Sequence, residues 1–173
     1  YILHNALDTE LFKYSDEKRE QIRRELEIEE ETILIGHIGR FTKQKNHDFL
    51  LQIFAEILEK NNNALLMLVG DGELKDSIQI KGCELGITDK IIYMGVRKDI
   101  PEILAGMDVF VFPSLYEGMP NTVIEAQAAA LPCIIADTIT NEANITGLVK
   151  YKSLNDSPRE WAEEIINAVP ERR

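Results

Sequence analysis

Residues 32–72 read TILIGHIGRFTKQKNHDFLLQIFAEILEKNNNALLMLVGDG. Thr32–Gly39 is an apolar run of strand length. Asn46–Lys60 places Phe49, Leu50, Ile53, Phe54, Ile57 and Leu58 on one stripe at helical spacing. Ala64–Val69 is a second strand, closed by a Gly70-Asp71-Gly72 turn. Strand, helix, strand in this order and at these lengths is a right-handed βαβ unit with parallel strands.

The same alternation continues downstream. Glu73–Leu85 reads as a helix, Lys90–Met94 as a short strand, Ile100–Ala105 as a short helix and Asp108–Phe112 as a strand. Asn121–Ala130 is a helix, Cys133–Ala136 a strand, Gly147–Tyr151 a sixth strand, and Pro158–Ala168 a last helix around a packed Trp161. Upstream, residues 8–31 are polar and acid-rich. Ser15-Asp16-Glu17 starts a surface helix over 15–27 with Ile22 and Leu26 as its apolar pair, and Glu29-Glu30-Glu31 reads as a solvated linker. No period of 20–50 residues repeats, which excludes a solenoid. Short uninterrupted strands suit a sheet covered on both faces. The expected fold is a doubly wound, Rossmann-like α/β domain with a parallel sheet, in the common 3-2-1-4-5-6 strand order.

Composition agrees with a soluble globular domain. The chain has 173 residues, 45% of them apolar and 28% charged. That length suits one domain, which buries roughly 68–70% of its unfolded surface. Nineteen basic against thirty acidic residues give a net charge of −11, which excludes nucleic acid as the expected partner. No apolar run approaches the ~18 residues of a membrane span, and no signal peptide is visible. The chain opens on an apolar phrase, Tyr1-Ile2-Leu3, without Met, and reads as a piece of something longer. Cys83 and Cys133 stand far from other thiols or paired histidines. They read as two buried thiols in a reducing cytosol rather than as a metal or disulfide framework.

In a doubly wound sheet the ligand crevice lies at the carboxyl ends of the strands where the order reverses, here between strands 1 and 4. The loop after strand 1, Gly39-Arg40-Phe41-Thr42-Lys43-Gln44-Lys45-Asn46, carries three cations into a helix N-terminus. That combination favours an anion, with Arg40 able to fork onto a phosphate and Lys45 to add a point charge. The glycines of a P-loop are missing. A solvated basic loop is the alternative. The loop after strand 4, Pro113 to Asn121, brings Glu117, Gly118 and Pro120. Glu125 follows just over one turn inside the next helix, where a carboxylate can accept two hydroxyls of a ribose. Alone, two glutamates eight residues apart are equally well surface charge. His37 in strand 1 reads as a core residue, and His47 as a minor phosphate candidate beside the cation loop.

These residues carry a resemblance. Gly39-Arg40 with Lys45, Gly70-Asp71-Gly72, Tyr93-Met94-Gly95, the stretch Asp108 to Ser114, and Glu117-Gly118-Met119-Pro120 through Glu125-Ala126 closely resemble the retaining glycosyltransferases of family 4, which have the GT-B fold. The Glu-x7-Glu spacing, Glu117 to Glu125, is intact. The likeness covers roughly residues 1–150 as the carboxy-terminal, donor-binding domain. His4 to Phe12 is similar to the segment entering that domain, and residues 130–140 are similar to the bacterial exopolysaccharide and capsule branch.

The resemblance implies a function. Arg40 and Lys45 would hold the diphosphate of a nucleotide-sugar donor, in place of a metal, and no other cofactor is expected. Gly118, Met119, Asn121 and Thr122 would line the diphosphate and sugar. Glu125 would bind the ribose, and Glu117 would contact the donor sugar near the reacting carbon as the catalytic residue. Arg97, in the loop after strand 3, would meet the base through its backbone. The acceptor, a glycan or a lipid-linked glycan, would bind an amino-terminal domain absent from residues 1–173. This piece would then be inactive alone. The whole protein would be cytoplasmic, with peripheral association at the inner face of the membrane through the missing domain.

One position departs from the family pattern: Ala130 stands where glycine is usual, at a cost of about 1 kcal/mol if the residue is left-handed. Two other readings compete. One is a sugar-nucleotide epimerase of the same architecture; the other is a nucleotide-binding module without catalysis. A phosphate-receiver domain is disfavoured, because strand 1 ends in Gly39-Arg40 rather than beside an acid pair.

Overall fold

The computed structural model describes residues 8–170. The apolar opening Tyr1-Ile2-Leu3, and the entering segment from His4 to Leu7, lie outside that range. A short helix α1 (Thr9–Phe12) and helix α2 (Asp16–Glu25) precede the sheet. Then come β1 (Ile33–Ile38), α3 (His47–Lys60), β2 (Ala64–Val69), α4 (Lys75–Glu84), β3 (Ile91–Gly95), α5 (Ile100–Gly106) and β4 (Val109–Phe112). The chain continues through α6 (Asn121–Ala128), β5 (Cys133–Ala136), β6 (Val149–Lys152) and α7 (Pro158–Ala168). The six strands form one sheet in the order β3-β2-β1-β4-β5-β6, every pair parallel. This is the expected doubly wound α/β arrangement.

Helices cover both faces in two separate sets. α3 packs against α4 and α7, while α2 packs against α5 and α1 against α5 and α6. β4 and β5 are buried along their whole length, as a sheet sandwiched between helices requires. α3 buries Leu50, Ile53, Phe54 and Ile57, one turn apart, each contributing about 1.5–3 kcal/mol of apolar burial. Trp161 of α7 is fully buried, sets its ring edge-on to Phe49, and donates its indole N–H to the Ser153 carbonyl at 2.8 Å.

α2 is more than a surface helix. Ser15 caps it, accepting the Lys18 N–H, and Ile22 is buried as expected. Arg23 is also buried, 5% exposed. Its guanidinium donates to the carbonyls of Glu29 at 2.5 Å and Thr32 at 2.7 Å. The side chains of Glu29-Glu30-Glu31 face solvent, but the backbone of this stretch is tied to the helix, so it is not a free linker. Cys133 is buried and Cys83 exposed, which corrects the expectation of two buried thiols. α4 has almost no amphipathic bias, and Cys83 lies on its open side.

Backbone packing beside the β1 exit explains the Gly-Asp-Gly turn. Gly70 has φ +139°, and a Cβ there would stand 2.1 Å from the Gly39 carbonyl oxygen. At Gly72 a Cβ would stand 2.5 Å from the carbonyl oxygen of Phe41. The turn therefore lies backbone on backbone against the loop after β1. It holds that loop by the Phe41 N–H to Asp71 C=O bond, 2.9 Å, and the Leu74 N–H to Phe41 C=O bond, 3.1 Å.

Candidate functional site

β1 and β4 are neighbours at the point where the strand order reverses, so their exit loops diverge over a shared crevice. Three hydrogen bonds clip the two loops together. The Leu115 N–H donates to the Gln44 carbonyl at 2.8 Å. The Gln44 amide donates to the Tyr116 carbonyl at 2.9 Å, and the Asn46 amide to the Pro113 carbonyl at 3.1 Å. Asn46 is itself left-handed, φ 55°, at the entry to α3.

Within this clasp Lys45 Nζ donates to Glu117 Oε1 at 2.5 Å. The side chains are 16% and 11% exposed. The ammonium also sits 4.6 Å above the centre of the Phe112 ring, a cation–π contact. Under it lies an aromatic floor. His37 stacks on Phe112 at 5.4 Å and meets His47 edge-on at 4.8 Å, and Phe41 meets His47 at 4.7 Å.

His37 is fully buried, as expected of a core residue. Its Nδ1 lies 2.9 Å from the Val111 carbonyl. A carbonyl only accepts, so Nδ1 carries the proton and Nε2 a bare lone pair. Burial pushes the pKa of His37 down to about 4, and that of His47 down to about 2, with the Lys45 charge adding to both. Both rings are neutral near pH 7. The His47 ring is turned inward, with no hydrogen-bond partner for either nitrogen among the described residues. The minor phosphate candidate is thus part of the floor.

α6 starts at the rim of the crevice. Pro120 holds its N-cap position, and no side chain caps the helix, so its first turn presents a positive dipole end to the crevice. Space above Gly118 is open, with nothing within 4 Å of where a Cβ would stand. Asn121 is exposed and Thr122 half-buried, while Met119 packs against the core. Glu125 is half-buried, and burial raises its pKa. Its carboxylate has no hydrogen-bond or ion-pair partner among the described residues, which leaves it two oxygens to offer a ligand.

The remaining expected residues stand apart from the clasp. The Arg40 side chain is 75% exposed and lies 3.9 Å from Glu73. The Arg97 guanidinium is held by Asp99, at 2.8 and 2.5 Å, and by Glu25 at 3.3 Å. Those carboxylates raise its pKa and occupy its side chain. A cavity of about 250 Å³ lies behind the loop after β1, between it and α4, lined by Thr42, Asn46, His47, Leu74, Ile78 and Leu115. Neither Lys45 nor Glu117 lines it. Among the described residues no group of three or more His, Cys, Asp or Glu is placed to hold a metal. No helix among them is long and apolar enough to cross a membrane.

The sequence singles out Lys45, Glu117 and Glu125 as candidates but does not show the direct pairing of the first two. The signal was available: opposite charges in the two loops that flank the reversal point. The Gln44 and Asn46 clips had no such signal, because both side chains bond backbone carbonyls that any sequence provides.

Comparison with known proteins adds to this geometry. Residues 32–170 match the family model described as glycosyl transferases group 1. EpsF of Bacillus subtilis (strain 168) is 37% identical over 170 residues, 98% of this chain and 44% of its own length. An Escherichia coli protein, UDP-Gal:alpha-D-GlcNAc-diphosphoundecaprenol alpha-1,3-galactosyltransferase, is 32% identical over 139 residues, 79% of this chain and 36% of its own. The crystal structure of Anabaena Alr3699/HepE in complex with UDP and glucose superimposes with a TM-score of 0.86 at 20% identity, covering 99% of this chain and 47% of that one. The chain spans less than half the length of each of these proteins.

Proposed function

The chain belongs to the group 1 glycosyl transferases, and from that premise we propose that it is the donor-binding half of a retaining enzyme. The enzyme would transfer a sugar from a nucleoside-diphosphate sugar to a glycan or lipid-linked acceptor during polysaccharide synthesis. The observation that carries this reading is the Lys45–Glu117 contact between the loops that leave the neighbouring strands β1 and β4, with α6 and its Glu125 following directly on the second loop. The relatives support the donor class: the Escherichia coli protein is named for UDP-Gal, and HepE was crystallised with UDP and glucose.

The chemistry follows from where charge develops. Cleavage of the bond between the sugar and the β-phosphate leaves negative charge on the phosphate and positive character on the sugar carbon. Fixed donors aimed at the phosphate oxygen stabilise that state. Lys45, the backbone amides of Gly118, Met119, Asn121 and Thr122 and, once turned inward, Arg40 are those donors. They would do the work that a metal does elsewhere, so a chelator should leave transfer intact. Glu117 sits where the sugar would lie, positions its hydroxyls and tolerates the cationic carbon. Glu125, half-buried and without a partner among the described residues, takes the ribose diol. The backbone at Arg97 borders the base.

The acceptor belongs to the part of the enzyme outside this chain, as does any association with the inner face of a membrane. This piece alone is then inactive. The test is calorimetric titration of the native protein with UDP, GDP and ADP. Binding of one of them, weakened by Glu125→Gln, supports the reading; no binding of any of the three defeats it.

A further inference from the structure

We propose that Glu117 and the spent nucleoside diphosphate compete for Lys45, so that this carboxylate speeds product release as well as positioning the sugar. The inference rests on the donor-site reading above. Its starting point is the tie between the two residues. Lys45 Nζ is the partner of the Glu117 carboxylate at 2.5 Å, and among the described residues that carboxylate has no other. Both side chains are almost withdrawn from water, and an aromatic and neutral floor lies below them. A charge–charge contact is stronger there than on an open surface. A diphosphate that takes Lys45 must take it from Glu117.

The pair is not needed to hold the loops. The Leu115–Gln44, Gln44–Tyr116 and Asn46–Pro113 bonds clasp the same segments, and each uses a backbone carbonyl. Breaking the ion pair leaves all three in place. The Lys45–Glu117 contact is therefore free to open and close on ligand binding.

Opening costs differently for substrate and product. With the intact donor bound, the sugar hydroxyls give the Glu117 oxygens new donors, which replaces what is lost when Lys45 turns to the phosphate. After the sugar has passed to the acceptor, those hydroxyls are gone and the β-phosphate carries one more negative charge. Glu117 is then a buried carboxylate without a donor, beside a like charge. Re-forming the pair with Lys45 satisfies it and withdraws a cation from the product. An unmet buried charge is expensive, and this asymmetry sets the direction.

The test is a set of titrations on the native protein with UDP, GDP and ADP. Glu117→Gln should bind the accepted nucleoside diphosphate about tenfold more tightly than wild type, one charge-assisted contact being at stake. In the full-length enzyme the same nucleotide should become a stronger product inhibitor by a similar factor. Glu117→Ala should move affinity the same way, which guards against a local effect of the amide. In a Lys45→Met background most of the gain from Glu117→Gln should vanish. Unchanged or weaker binding in both Glu117 variants overturns the inference. If Glu125→Gln weakens the nucleotide while the Glu117 variants do not tighten it, the donor site stands and only the competition fails. If wild type binds none of the three nucleotides, the donor reading fails and this inference with it.

Discussion

Asp108 and Arg23 tie the first long helix to the centre of the sheet: Arg23 Nη1 lies 3.4 Å from Asp108 Oδ2, and both residues are buried. The same carboxylate accepts the Leu34 N–H at 2.7 Å and the Arg19 guanidinium at 2.6 Å. Asp108 thus joins α2, β1 and β4 at one point. Burial lowers the pKa of Arg23 while Asp108 raises it, so that carboxylate is the nearest counter-charge of the buried guanidinium. Asp108→Asn keeps the shape and removes the charge, leaving two guanidinium groups short of a counter-ion. It should destabilise the fold by about 3 kcal/mol, in the range for breaking a buried pair. Urea denaturation checks this; a change within 0.5 kcal/mol, about that of an ordinary surface substitution, would mean the network is spectator packing.

Ala130 is left-handed, φ 55°, one residue past the C-cap of α6, Ala129. The helix still closes in the usual way, with the Leu131 N–H on the Ala126 carbonyl at 3.0 Å, so the Cβ strain is accepted rather than avoided. Ala130→Gly should relieve it and stabilise the protein by up to about 1 kcal/mol, the strain relief exceeding the added freedom of the unfolded chain. The residue is exposed, so no packing is lost. A lower denaturation midpoint in the variant would contradict this.

How far these features could be read from sequence depends on how local their causes are. The α3 stripe and the strand runs are local, and the observed strand order is the common one for the doubly wound class they indicate. The reversal point was legible because its two loops differ so plainly in chemistry. Arg23 was not legible: arginine on an acid-rich helix reads as surface, and its partner Asp108 lies 85 residues away. Arg40 and Lys45 were equal candidates in the sequence. What separates them is the Phe112 ring and the Glu117 carboxylate, which come from a strand and loop far along the chain. The sequence neighbours of His47 point to the cation loop, while its ring is placed by Phe41 and His37 beneath that loop.

The two buried histidines make stability depend on pH in a stated direction. Their ordinary pKa is 6.5, and in the fold they fall to about 4 and about 2. The unfolded chain therefore binds more protons than the native state below pH 6.5. Stability is complete above that value and is lost as pH falls towards the folded values. Between pH 6.5 and 5 the slope of this loss should be carried by these two rings, with Glu125, whose pKa burial raises, acting in the opposite sense. His47→Phe removes two unpartnered ring nitrogens and should flatten that slope by about half, one of two titrating groups being gone. Denaturation midpoints at pH 7, 6 and 5 in both proteins measure it; identical slopes would place the acid sensitivity elsewhere.

Lys45 and Arg40 share one loop but differ sharply in surroundings. Lys45 is 16% exposed, lies over Phe112 and is held against Glu117. Arg40 is 75% exposed and 3.9 Å from Glu73. Water and salt screen Arg40 far more than Lys45. Arg40 must also rotate away from Glu73 before it can meet a phosphate, and it loses side-chain freedom in doing so. Lys45→Ala should therefore weaken nucleoside diphosphate binding by about tenfold or more, a charge-assisted bond being worth about 1.5–3 kcal/mol. Arg40→Ala should cost less, and its cost should shrink as salt is raised, whereas that of Lys45→Ala should change little. Titrating wild type and both variants with UDP, GDP and ADP at low and high salt tests the ranking. If Arg40→Ala proves the more damaging at both salt concentrations, the exposed arginine closes over the diphosphate when the nucleotide arrives, and the buried lysine serves chiefly to hold Glu117.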